Sequence, residues 1–117
     1  MRYLTIAALL TLPFGVAAQP HSEGECREGG DFIRNAALAR DGGATRAFFV
    51  GRLEEDLVLI RAYPPALRWF VHDPEDEQFL RAEVATVFDA PQPSEQQRSA
   101  FLERCAQRAG RQAAPST

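Results

Sequence analysis

Apolar residues recur along most of this chain at helical rather than strand spacing. From Cys26 to Arg40 a stripe of Phe32, Ile33, Ala36 and Ala37 repeats every three to four positions. Gly29-Gly30 weakens the opening turn, so the regular helix is expected from Gly30 or Asp31, and Asp41-Gly42-Gly43 stops it. Thr45 reads as the cap of a second helix running to about Ala62. Its inner face is Phe49, Leu53, Leu57 and Ile60, and Phe48, Val50, Val58 and Leu59 widen it, which predicts a centrally placed helix. Tyr63-Pro64-Pro65 ends the pattern, because proline has no N–H for the ladder and restricts the residue before it. Residues 65–71 then read as one or two helical turns.

Asp73-Pro74 opens a further helix, with Asp as cap and Glu75, Asp76 and Glu77 against the positive end of its dipole. Leu80, Val84, Val87 and Phe88 form its apolar face, and Glu77 with Arg81 makes an i, i+4 pair. Pro91 and Pro93 break the chain again. Ser94 with Gln97 predicts a capping box for a last helix whose inner line is Phe101, Cys105 and Ala109. The class that follows is all-α: a small bundle of four to five short helices. The expected boundaries are a flexible lead-in at 19–25, a helical domain at 26–109 and a disordered tail at 110–117.

The first 18 residues change the picture. Met1-Arg2, an apolar run to Ala18 and small residues at Val16-Ala17-Ala18 compose a cleavable export signal. The run is short for a membrane span, which weighs against an anchor and against stable membrane insertion after cleavage. Export places the two cysteines in an oxidising compartment, periplasmic or extracellular. There Cys26 and Cys105 are expected to join the first and last helices, in preference to free thiols or a bridged dimer. Closing a loop of 79 positions removes about 4.5 kcal/mol of unfolded-chain entropy in the loop-closure account.

Charge adds little. Without Arg2, 12 Arg stand against 16 Asp and Glu, a net of −4, which argues against nucleic acid or an anionic membrane surface as the main partner. The chain has no Lys, so Schiff-base chemistry is excluded. His21 and His72 lack metal-ligand spacing, and the serines at 22, 94, 99 and 116 carry no nucleophile motif. Glu54-Glu55-Asp56 point in different directions on a helix, and the 73–77 acids fit a helix start better than a calcium loop. No catalytic residue, metal ligand or cofactor is expected.

The stretch from Tyr63 to His72 concentrates the single Trp with Tyr, Phe and Arg, residue types enriched at protein interfaces. Tyr63, Arg68, Trp69 and His72 are the candidate partner-binding residues, against the alternative that Trp69 and Phe70 plug the core. Cys26, Ala39-Arg40-Asp41-x-Gly43, Val87-Phe88-x-x-Pro91 and Phe101-x-x-x-Cys105 together resemble a loose group of small exported proteins of Gram-negative bacteria. That resemblance implies a secreted helical fold with a terminal disulfide and carries over no catalytic residue; the Trp69 segment lies outside the shared pattern. The leading expectation is a non-enzymatic module that binds another protein. The alternatives are a periplasmic acid-stress chaperone and a toxin-immunity inhibitor.

Overall fold

A computed structural model describes residues 20–113; the expected export signal at 1–18 lies outside that range, as do residues 19 and 114–117. Four helices follow one another: α1 (Glu23–Asp41), α2 (Arg46–Ile60), α3 (Pro74–Asp89) and α4 (Ser94–Ala113), with one 3-10 turn at Pro65–Leu67. No strand occurs among the described residues. The expected all-α bundle is therefore present. Cys26 and Cys105 are bridged, with Cα atoms 5.7 Å apart, and tie α1 to α4.

The core follows the apolar faces. Ile33, Ala36 and Ala37 of α1 meet Leu80, Val84 and Val87 of α3 and Phe101 of α4, with Phe70 and Val71 of the connecting turn filling the space between. Of the apolar positions named above for the inner faces, Leu53, Leu57, Leu80, Val84 and Phe101 are buried, and Phe49, Ile60 and Phe88 pack half-buried against them. Two predicted caps form: Thr45 Oγ1 accepts from Phe48 N–H at 3.1 Å, and Asp73 Oδ1 from Asp76 N–H at 2.8 Å. Gly43 closes the first turn in the left-handed region, φ 104°, a conformation that favours glycine.

Four expectations need correction. First, α1 begins at Glu23, so residues 23–25 are not a loose lead-in. Ser22 and Glu25 form a reciprocal capping box, and Gly29 and Gly30 are buried where α4 crosses α1. A Cβ on Gly29 would stand 2.6 Å from Phe101 Cζ, so the glycine pair is the contact point of two helices rather than a weak start. Second, α2 is peripheral. Only Leu53 and Leu57 are buried on it, whereas Phe48, Val58 and Leu59 are each more than 60% exposed. Its apolar width reflects an uncovered side, not a second neighbour.

Third, Gln97 does not serve a capping box with Ser94. Its side chain turns inward, accepting from Arg40 Nη1 at 2.6 Å, and Arg40 also donates to the carbonyls of Val87 and Gln92. Arg40 thereby braces the α3–α4 connection from the end of α1. Fourth, α4 continues through Gly110 to Ala113, so the start of the expected tail is helical.

Candidate functional site

Two features stand out from this frame: a buried polar cluster at one end of the bundle and an apolar face along α2. The cluster is set by four elements. The capping box fixes residues 21–25, the turn after Phe70 delivers His72, the first turn of α3 presents Asp76, and the last turns of α4 bring Arg108 and Gln112.

Asp76 is the hub. Its Oδ2 accepts the His72 backbone N–H at 2.9 Å and lies 3.4 Å from His21 Nε2. Arg108 Nη1 stands 2.7 Å from Oδ1, but its N–H is not aligned on the oxygen, so the contact is an ion pair rather than a directed hydrogen bond. Arg108 also covers the Phe79 ring at 4.9 Å. Burial alone would push the Asp76 carboxyl up. His21, the His72 N–H and Arg108 outweigh burial and hold it at about 2.

His21 is buried at 6% exposure, stacked on Phe70 at 4.4 Å and on His72 at 4.9 Å. Its Nε2 lies 2.7 Å from the Phe70 carbonyl and its Nδ1 3.3 Å from Gln112 Oε1. The His21 backbone N–H points at that same amide oxygen, which fixes the orientation of the amide. Both ring nitrogens therefore face acceptors, an arrangement that suits the doubly protonated ring. Burial pushes the imidazole down; Asp76, the Phe70 carbonyl and Gln112 together raise it above its ordinary 6.5. His72 Nε2 meets Glu25 Oε2 at 2.7 Å and completes the cluster.

His21, His72 and Asp76 place donor atoms within 4.8 Å of one another, the three residues here best placed to hold a metal ion. The arrangement suits another role. Stacked imidazoles aim their lone pairs side by side rather than at one point, and Arg108 holds the charge of Asp76. The group works as an imidazole–carboxylate–guanidinium latch, joining the residue before the α1 cap to the start of α3 and the end of α4. A general base needs a free ring nitrogen; His21 lines a cavity of about 430 Å³ with Cys26, Arg27 and Leu102, but both its ring nitrogens are engaged.

No protein-family model matches the chain, and no curated protein or solved structure matches it.

The four predicted contact residues separate. Tyr63 is 58% exposed. Arg68 is half-buried and donates to three carbonyls, Tyr63 at 2.7 Å, Arg61 at 3.2 Å and His72 at 3.3 Å, so it staples its own turn. Trp69 is half-buried with its ring edge-on to Phe32 at 5.4 Å. His72 belongs to the latch. Of the four, Tyr63 and Trp69 border the apolar face.

That face surrounds a crease between α1 and α2. Two adjoining cavities of about 340 and 280 Å³ share Phe32, Leu53 and Asp56; Trp69 and Leu59 wall the first, and Phe48 and Arg52 the second. Val58, Leu59, Tyr63 and Leu67 stand exposed along the helix and the turn that follows. Periodicity implies cover for Phe48 and Leu59, gives Asp76 only a place at the helix dipole, leaves His21 without metal-ligand spacing and does not single out Arg108. One signal was available for His21: Ser22-x-x-Glu25 is a capping-box pattern, which places the residue before it against a folded helix start.

Proposed function

We propose that this is an exported helical protein that acts by contact with another protein chain, through the α1–α2 face, and not by chemistry. The observation that carries the reading is the exposure of Phe48, Val58, Leu59, Tyr63 and Leu67, each more than half open, beside a crease floored by Phe32 and Leu53. Contiguous open apolar surface is costly in a monomer and commonly marks an interaction site. The disulfide and the absence, among the described residues, of any helix long and apolar enough to cross a membrane accord with a protein outside the cytoplasm.

The polar cluster supports the same reading: His21 borders a cavity of about 430 Å³ with Cys26, Arg27 and Leu102, but both its ring nitrogens are engaged, by the Phe70 carbonyl and Gln112, and Asp76 is paired with His21 and Arg108. An acid-stress chaperone would need acid to loosen the fold. The apolar face of α2 is already open in the fold, so acid is not required to uncover it. An immunity inhibitor would be expected to offer a charged, enzyme-specific patch, whereas the open side of α2 sets Phe48, Val58 and Leu59 around an Arg52–Glu55 pair of opposite charge.

The test is photo-cross-linking in cells that export the protein. A photoreactive residue at position 59 should give protein adducts, and one at exposed Gln107 on α4 should give none. Equal labelling at the two positions, or no adduct at 59, would overturn the contact reading.

A further inference from the structure

Phe48, Arg52, Glu55 and Leu59 recur at spacings of four, three and four, so they share one outward stripe, opposite the buried Leu53 and Leu57. The stripe is palindromic in chemistry. When two copies of a helix lie antiparallel about a two-fold axis, facing residues have a constant sum of residue numbers. Phe48 then faces Leu59 of the other copy, and Arg52 faces Glu55.

Charge and shape both agree. Arg52 and Glu55 are exposed, at 64% and 75%, and meet each other within one chain only at 3.8 Å. Across the axis the same residues make a ring of four alternating charges, bounded at each end by an apolar pair. Gly51, beside this centre, is a glycine in a helix interior with nothing within 4 Å of a would-be Cβ. Nothing within the chain uses its missing side chain, and such a glycine weakens a helix. Where two helices cross, it lets their backbones approach.

We propose that α2 pairs with α2 of a second copy of this chain, antiparallel and two-fold symmetric, with Phe48 on Leu59 and Arg52 on Glu55 of the opposite copy. The proposal rests on the contact reading above and names its partner. One helix per subunit gives an interface at the small end of specific complexes, so the dimer forms reversibly with concentration.

The experiment is sedimentation equilibrium of the purified, oxidised protein at low salt, over a wide concentration range. The wild type is expected to approach twice the monomer mass as concentration rises. Arg52→Glu and Glu55→Arg each place like charges across the axis and should weaken association about tenfold or more. The double exchange, Arg52→Glu with Glu55→Arg, restores alternation and should return association to the wild-type level. Leu59→Glu should abolish it while the thermal melt at dilute concentration stays unchanged, since Leu59 is solvent-exposed.

A protein that remains monomeric throughout, single charge variants that associate like wild type, or a double exchange that fails to rescue overturns the pairing. If it falls while the cross-linker at position 59 still captures a different protein, the contact reading stands with another partner. If position 59 also captures nothing, both fall.

Discussion

Three helix-interior glycines test the packing, because their neighbours predict a different sign for each. On Gly29, an alanine Cβ would stand 2.6 Å from Phe101 Cζ, 2.7 Å from Cε1 and 3.2 Å from Phe70 Cδ2. Ordinary carbon contacts lie near 3.5–4.0 Å, so the Phe101 ring would have to retreat by about 1 Å. It has little room to do so. Phe101 is fully buried against Phe70 and Phe79, with ring centroids 5.6 and 5.7 Å away, and the disulfide restrains the separation of α1 and α4. Overpacking of this kind costs about 1–3 kcal/mol, and the helix propensity gained by Gly→Ala offsets about 1 kcal/mol of it.

Gly29→Ala should therefore lose about 1 kcal/mol, lowering the melting temperature by roughly 4–8 °C in a domain this small. At Gly30 the nearest atom is Leu102 Cδ2 at 3.0 Å, the end of a flexible side chain, and gain and loss should nearly cancel. At Gly51 there is no neighbour within 4 Å, so Ala should stabilise the dilute protein by about 0.5–1 kcal/mol. The assay is thermal unfolding by circular dichroism under oxidising conditions. A Gly29→Ala protein that melts at or above the wild type would refute the close α1–α4 crossing.

Other consequences are as direct. Arg68→Ala removes the donor to three turn carbonyls and should cost about 1–2 kcal/mol in urea unfolding, in contrast to the near-neutral stability change expected of a pure contact anchor. Replacing Cys26 and Cys105 by Ser should lose up to about 4.5 kcal/mol, which a reducing-agent melt of the wild type should reproduce. The latch predicts a two-sided pH profile. His21, held above 6.5, stabilises the fold at lower pH and loses its contribution as pH rises through that higher folded value; Asp76, lowered from 3.8 to about 2, stabilises above 3.8 and loses its contribution as pH falls through about 2. Glu77, lowered from 4.5 by Arg61, adds to the acid side, so urea midpoints should plateau between about 4.5 and 6.5, and His21→Ala should flatten the alkaline decline.

Much of the bundle was legible because local chemistry decides where helices stop. Pro64-Pro65 and Pro91-x-Pro93 interrupt the helical ladder, Gly43 admits the left-handed turn that follows α1, and Thr45 and Asp73 cap the next helices by reaching only three residues ahead. The apolar face of α3 was equally plain, since a single stripe of Leu80, Val84 and Val87 can point only one way. The start of α1 was a local miss, set by the Ser22–Glu25 capping box, whereas the others depend on residues distant in the chain. Gly29-Gly30 looks like a weak helix start until Phe101, more than 70 positions later, occupies the space. Periodicity shows which residues of α2 share a face but not whether a neighbour exists to cover a second one.

His21 illustrates the same limit for the polar site. In sequence it sits in a short run of Pro, Ser, Gly and Glu, with nothing apolar to suggest burial. It is buried because Phe70, Asp76 and Gln112 converge on it from three other elements, and no spacing rule links those positions. The result is a fold with two unequal ends. At one end a disulfide and an ionic latch pin α1, α3 and α4 together. On the flank, α2 is held by two buried leucines and by the pairs Arg81–Glu54 and Arg61–Glu77, the second of which reaches back from the residue after the helix. Both pairs are partly buried, Glu77 nearly wholly so, yet α2 buries fewer residues than α1, α3 or α4 while it carries the most open apolar surface. Covering that surface would stabilise the element that the rest of the fold secures least, which is the physical reason to look for a partner there.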